Sequence, residues 1–161
     1  MITVNINGEE RQYPQGATYE DVANDYQKEY DNLIALAARD GKIRELFKKL
    51  TRDCEITFFT LKDDVGNKTY VRSATMLFLK AVFDVFGRET VQNCRVEFAI
   101  GNGSYISPKG KINATEENAA KIRNRMRELV EAKTPFLKKS YSLDNAMELF
   151  RREGMKDKEK L

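Results

Sequence analysis

Apolar and polar positions alternate from the first residues: Ile2, Val4 and Ile6 are separated by Thr3 and Asn5, the period-two pattern of a half-buried strand. Asn7-Gly8 predicts a tight hairpin turn, with Glu9–Tyr13 as the returning strand. Pro14-Gln15-Gly16 breaks the alternation. Tyr19, Val22, Ala23, Tyr26 and Tyr30 then recur at helical spacing, which predicts a helix over about residues 19–30. Thr18 is its N-cap, and Glu20 and Asp21 sit where the helix dipole favours acids. Residues 33–38 read as a strand, Asp40-Gly41 as a turn into residues 42–47, and residues 54–61 as a last strand rich in β-formers. Residues 62–69 are polar, include Gly66, and predict a linker between two domains.

The longest apolar run follows, over residues 70–86. From Ala74 to Phe86 only Thr75, Lys80 and Asp84 interrupt it. A helix apolar nearly all round must be enclosed by other elements. Ser73 or Thr75 would cap its start, and Gly87 suits the turn that ends it. Beyond it, Cys94, Val96, Phe98 and Ile100 form one face of a strand, Gly101-Asn102-Gly103 a turn, and residues 104–107 a segment that can pair back before Pro108 and Gly110. Thr115 before Glu116 and Glu117 starts a helix whose apolar stripe is Ala119, Ile122, Met126, Leu129 and Val130 and which ends near Ala132. Residues 136–141 predict a short strand. Ser142 caps the third helix of this half with Asp144 in its first turn, Gly154 ends it, and a charged tail closes the chain. The expected class is α+β.

Composition narrows the chemistry more than the fold. The 161 residues contain no histidine, so the usual neutral-pH acid–base group and commonest zinc ligand is missing. Cys54 and Cys94 are too few for a cysteine-rich zinc site and fit buried, reduced thiols of a cytoplasmic protein. No run reaches the roughly 18 apolar residues of a membrane span, and the N-terminus lacks the pattern of a secretory signal. The net charge of +3 is unevenly spread. Residues 1–60 carry 8 Lys and Arg against 11 Asp and Glu, whereas residues 109–161 carry 14 against 9. That basic excess is modest for a dedicated nucleic-acid binder. No G-x-x-x-x-G-K-S/T sequence is present to cradle phosphates.

Residues 1–61, opening ITVNINGEERQYPQGATYEDVA and continuing through LIALAARDGKIREL, resemble the TGS domain, a ubiquitin-like β-grasp module. Residues 70–161 resemble the second additional domain of threonyl-tRNA synthetases and alanyl-type editing proteins, a small α+β unit around a buried central helix. The resemblance rests on the Ser-containing helix start, the glycine-rich turn ending in Tyr105, the cadence IRNRMRELV, the segment TPFLKKSYS and the pattern at residues 146–150. Editing enzymes of that kind open the helix with His-Ser-x-x-His, and here Arg72 and Met76 stand at the matching positions. A guanidinium is neither a base nor a metal ligand at neutral pH, and a thioether is a weak ligand, so the inherited ester hydrolysis is not expected.

The pairing of the two modules, with KTYVRSATMLFLKAVFDVF and ELFRREGMKDKEKL, looks most like the N-terminal part of bacterial uridine-kinase-like proteins. That resemblance implies a non-catalytic accessory module, with a downstream kinase domain as its partner in cis and ATP and Mg as cofactors of that domain, none in this chain. The alternative is a tRNA-binding module related to the N-terminal domains of threonyl-tRNA synthetase. The candidate residues follow from these readings. Arg72, Ser73, Met76 and Tyr105 would line a remnant ligand pocket, the first two at a helix start that favours anions. Lys121, Arg123, Arg125 and Arg127 crowd one helix and either meet RNA phosphates or form a solvated face partly paired with Glu128 and Glu131.

Overall fold

The computed structural model describes residues 1–101, 103–108 and 113–155. Asn102, Gly110 and the tail 156–161, to which the sequence assigns a turn, a strand end and a solvated segment, lie outside the described residues. The chain divides into two units, Met1–Thr75 and Met76–Leu161.

In the first unit, β1 (Ile2–Ile6) and β2 (Glu9–Tyr13) pair antiparallel from Ile2↔Tyr13 to Ile6↔Glu9. Asn7 and Gly8 both take positive φ, 53° and 87°, as a two-residue turn matched to strand twist requires. The Asn5 side-chain oxygen accepts from the Gly8 N–H at 3.1 Å. Helix α1 (Tyr19–Tyr26) starts in a reciprocal cap: the Thr18 hydroxyl accepts from the Asp21 N–H, and the Asp21 carboxylate accepts from the Thr18 N–H at 2.7 Å. The helix is shorter than its apolar spacing predicts, because the chain tightens into a 3-10 turn at Gln27–Glu29 before Tyr30. Strands β3 (Ile34–Arg39), β4 (Lys42–Arg44) and β5 (Cys54–Thr60) complete a sheet of order β2-β1-β5-β3-β4, with β1 and β5 parallel. This is the β-grasp order, and the α1 side chains Tyr19, Val22, Ala23 and Tyr26 are buried in one core with Ile2, Val4, Ile6, Ile34, Ile56 and Phe58.

The expected linker is not one. Helix α2 runs from Asp64 to Phe86, so residues 64–69 are helical, and the division into units falls within this helix. Asp63 makes the turn into it, its carboxylate accepting from both the N–H and the hydroxyl of Thr60 at 2.7 and 2.9 Å. Gly66 serves a close approach rather than flexibility: a Cβ there would lie 2.0 Å from the Thr60 carbonyl oxygen. The hydroxyls expected as caps bond backwards within the helix instead, Ser73 to the Thr69 carbonyl and Thr75 to the Val71 carbonyl.

The second unit contains the rest of α2, then α3 (Arg88–Gln92), the hairpin β6 (Cys94–Ile100) with β7 (Gly103–Pro108), α4 (Glu116–Glu131) and α5 (Leu143–Arg152). Thr115 and Ser142 cap α4 and α5 as the sequence predicts. No strand forms at residues 136–141, so β6 and β7 pair only with each other among the described residues, and Phe136 and Leu137 are exposed. The expectation that α2 is enclosed all round also fails: Ala81 and Val82 are buried, but Tyr70, Met76 and Phe83 are exposed. Asp84 on α2 accepts from Lys80 and, at 2.9 Å, from Arg125 on α4; Lys80 and then Arg125 hold its carboxyl below the usual range. Arg88 reaches both the carboxylate and the backbone carbonyl of Glu153, tying α3 to the end of α5.

Candidate functional site

The remnant pocket expected at a helix start has lost its physical basis. Arg72 and Ser73 lie well inside α2, where N–H groups are consumed by the helix itself, so no free donors face an anion there. Both are exposed, and Met76 one turn on is exposed too. Tyr105, on β7, stacks against Phe98 of β6 with ring centroids 5.2 Å apart and remains half exposed.

The basic helix face is largely compensated. Lys121 pairs with Glu117 at 2.7 Å, Arg123 with Glu116 at 3.6 Å, and Arg125 with both Asp84 and Glu128 at 2.9 and 2.8 Å. Arg127 is the member of the set for which no ion pair occurs among the described residues. Of the apolar stripe expected on α4, Leu129 is buried and Ile122 and Met126 are half-buried, whereas Ala119 and Val130 are exposed.

A cavity of about 480 Å3 opens beside that stripe, walled by Phe78 and Val82 of α2, Cys94 and Ile106 of the hairpin, and Ile122 and Met126 of α4. Its polar rim is the N-terminal turn of α4, where Thr115 and Asn118 already bond one another. Burial pushes the Cys94 thiol up, which keeps it protonated and a poor nucleophile at neutral pH. Among the described residues no group of three or more Cys, Asp and Glu is placed to hold a metal ion. The cavity walls are mainly apolar, with Glu116 and Arg123 as the charged residues of its lining.

The feature that the sequence reading missed is in the first unit. Arg39 and Arg44, at the ends of β3 and β4, and Lys48 and Lys49, in the following loop, line one cleft with Tyr19 and Thr51. The loop is fixed by backbone bonds to the start of α1: Tyr19 N–H to the Lys48 carbonyl at 3.0 Å, Glu20 N–H to the Leu46 carbonyl at 2.8 Å, and Leu50 N–H to the Ala17 carbonyl at 2.7 Å. The only sequence signal was a spacing of basic residues hidden in a segment that is acidic on balance.

No helix among the described residues is long and apolar enough to cross a membrane. No protein-family model matches the chain. Curated proteins do. The threonine–tRNA ligase of Thermotoga maritima is 29% identical over 149 residues, covering 90% of this chain and 22% of that protein. Those of Maricaulis maris and Rhizobium etli are each 28% identical, over 155 and 148 residues, covering 96% and 92% of this chain and 24% and 22% of theirs. A uridine-kinase-like parent finds no support in these similarities. The chain thus spans less than a quarter of the length of the curated relatives it matches, and along nine-tenths of its own length it is similar to threonine–tRNA ligases.

Proposed function

We propose that this chain is a tRNA-recognition module of the threonine–tRNA ligase type. The observation that carries the reading is the similarity to enzymes of that name across both units of the chain. Its physical support is an excess of cations: Arg39, Arg44, Lys48 and Lys49 line one cleft with the single carboxylate of Glu45 in the first unit, and in the second Arg127 has no ion pair among the described residues. Such groups gain by displacing condensed counterions from a phosphate backbone. The module works by binding and not by ester hydrolysis, since the chain has no imidazole and Arg72 and Met76 stand where the editing enzymes that it resembles carry histidines.

The test is a titration of the full chain with bulk tRNA in a filter-binding or fluorescence assay at several salt concentrations. The expected result is a Kd on the order of 1–100 µM near physiological salt that weakens steeply as salt rises. A mischarged-tRNA assay run alongside is expected to show no deacylation above the uncatalysed rate. No binding at 50 mM salt, or salt-independent binding, would overturn the proposal.

A further inference from the structure

The basic cleft of the first unit has features that a solvated charged surface lacks. Four cations, Arg39, Arg44, Lys48 and Lys49, line it against one carboxylate, that of Glu45. Glu45 pairs with Lys48 at 3.9 Å, which leaves the cations of the cleft in excess. The nearby carboxylate of Asp40 is committed elsewhere, to Arg52 at 2.6 Å and to the Glu55 N–H at 3.1 Å. Arg39 instead donates to the neutral hydroxyl of Thr51 at 2.8 Å, and Arg44 to the Ile43 carbonyl at 2.9 Å. The hydroxyl of Thr51 thereby has its lone pair engaged while its proton stays available for donation.

Tyr19 supplies the second, independent sign. Its side chain is 1% exposed, it lines the cleft, and its hydroxyl, which Arg39 approaches as a donor, gives its own proton to no acceptor among the described residues. Buried polar groups are nearly always satisfied, and of the two buried tyrosine hydroxyls without an acceptor, those of Tyr19 and Tyr26, only that of Tyr19 lies in a cleft lined by four cations, where an anion would supply the acceptor. Burial pushes the Tyr19 phenol up, against the opposing pull of Arg39 and Arg44, and so keeps it a proton donor at neutral pH. The first N–H groups of α1 take no part, because loop carbonyls already accept from them. Recognition falls to side chains alone.

We propose that this cleft, about 590 Å3 in volume, binds a phosphate-bearing anion, held by Arg39, Arg44, Lys48 and Lys49 with the Tyr19 and Thr51 hydroxyls as oriented donors. Guanidinium groups suit the planar, two-pronged recognition of phosphate oxygens. Either a small polyphosphate or the backbone of an RNA presents this chemistry. The inference rests on the cleft itself and stands or falls separately from the tRNA reading.

Calorimetric titration of the full chain with sodium pyrophosphate, in phosphate-free buffer at low salt, tests it, and a parallel titration uses bulk tRNA. Arg44→Gln combined with Lys49→Gln removes two charges whose side chains hold no other element in place, and is expected to weaken the bound probe at least about tenfold. Tyr19→Phe is the sharper variant. It is expected to leave the melting temperature of the ligand-free protein unchanged or higher, since the hydroxyl is unsatisfied there, and yet to weaken binding several-fold. Loss confined to pyrophosphate identifies a small phosphoanion as the occupant. Loss confined to tRNA identifies a backbone phosphate. Failure of wild type to bind either probe, binding that both variants leave intact, or a lowered melting temperature for Tyr19→Phe without loss of binding would each overturn the proposal.

Discussion

In the first unit, α1 lays Tyr19, Val22, Ala23 and Tyr26 onto a five-stranded sheet and all four are buried; in the second, β6 alternates just as regularly, and Val96, Phe98 and Ile100 are all exposed. The difference is not in the patterning of the strands. A five-stranded sheet with a helix across one face encloses its apolar side chains, whereas a two-stranded ribbon is marginal alone and cannot cover its own face. Helix α2 shows the same contrast within one element, with Ala81 and Val82 buried and Met76 and Phe83 exposed. Periodicity says which residues face together; it does not say that anything faces them.

The sharpest way to break this comparison is to delete one aromatic from each unit. Phe58 is buried among Tyr26, Tyr30 and its neighbours, with ring centroids 6.1 and 6.0 Å from the two tyrosines. Phe58→Ala is expected to cost about 3–5 kcal/mol in urea denaturation. Phe98→Ala, on the exposed ribbon face, is expected to cost about 1 kcal/mol, chiefly its stacking on Tyr105. Equal costs would mean that the two units bury their apolar residues alike.

Gly66→Ala probes the junction between β5 and α2. The added methyl meets backbone 2.0 Å away, which cannot rotate aside as a side chain would. A loss of about 2–3 kcal/mol is expected from overpacking, read from the same denaturation curves. A neutral substitution would show that Gly66 does act as a linker residue.

The smallest effect concerns alkaline pH. Tyr13 is pushed up to about 12 from an ordinary 10, first by burial and then by the Asp25 carboxylate that its hydroxyl contacts at 3.0 Å. Because the folded value is the higher one, this group's contribution is intact below pH 10 and is lost as the pH rises from 10 to about 12, where the unfolded chain alone ionises. The melting temperature of wild type is therefore expected to fall more steeply than that of Tyr13→Phe across that window, so that the two approach each other; parallel curves would contradict the shift.

What could be read from the sequence was what short-range chemistry decides. Asn7-Gly8, Thr18, Thr115 and Ser142 each act within a few residues, and each turn or cap forms where expected. The start of α2 was misplaced because Ser73 and Thr75 are equally compatible with a cap or with bonding back onto the preceding turn, and they do the latter. Gly66 was misread because a flexible glycine and one excluded by a distant carbonyl look identical in sequence. The basic cleft was hidden for a related reason. Arg39, Arg44, Lys48 and Lys49 lie within a segment whose total charge is negative, and only the turn after β3 and the loop bonded to α1 bring them round one space.

Taken together, the two proposals put tRNA against the basic end of the β-grasp unit. Amide hydrogen exchange of the full chain with and without saturating tRNA at low salt measures this most directly. Slowed exchange concentrated in residues 39–51 is the predicted result. Exchange that tRNA leaves unchanged in those residues, whatever happens elsewhere in the chain, would contradict it.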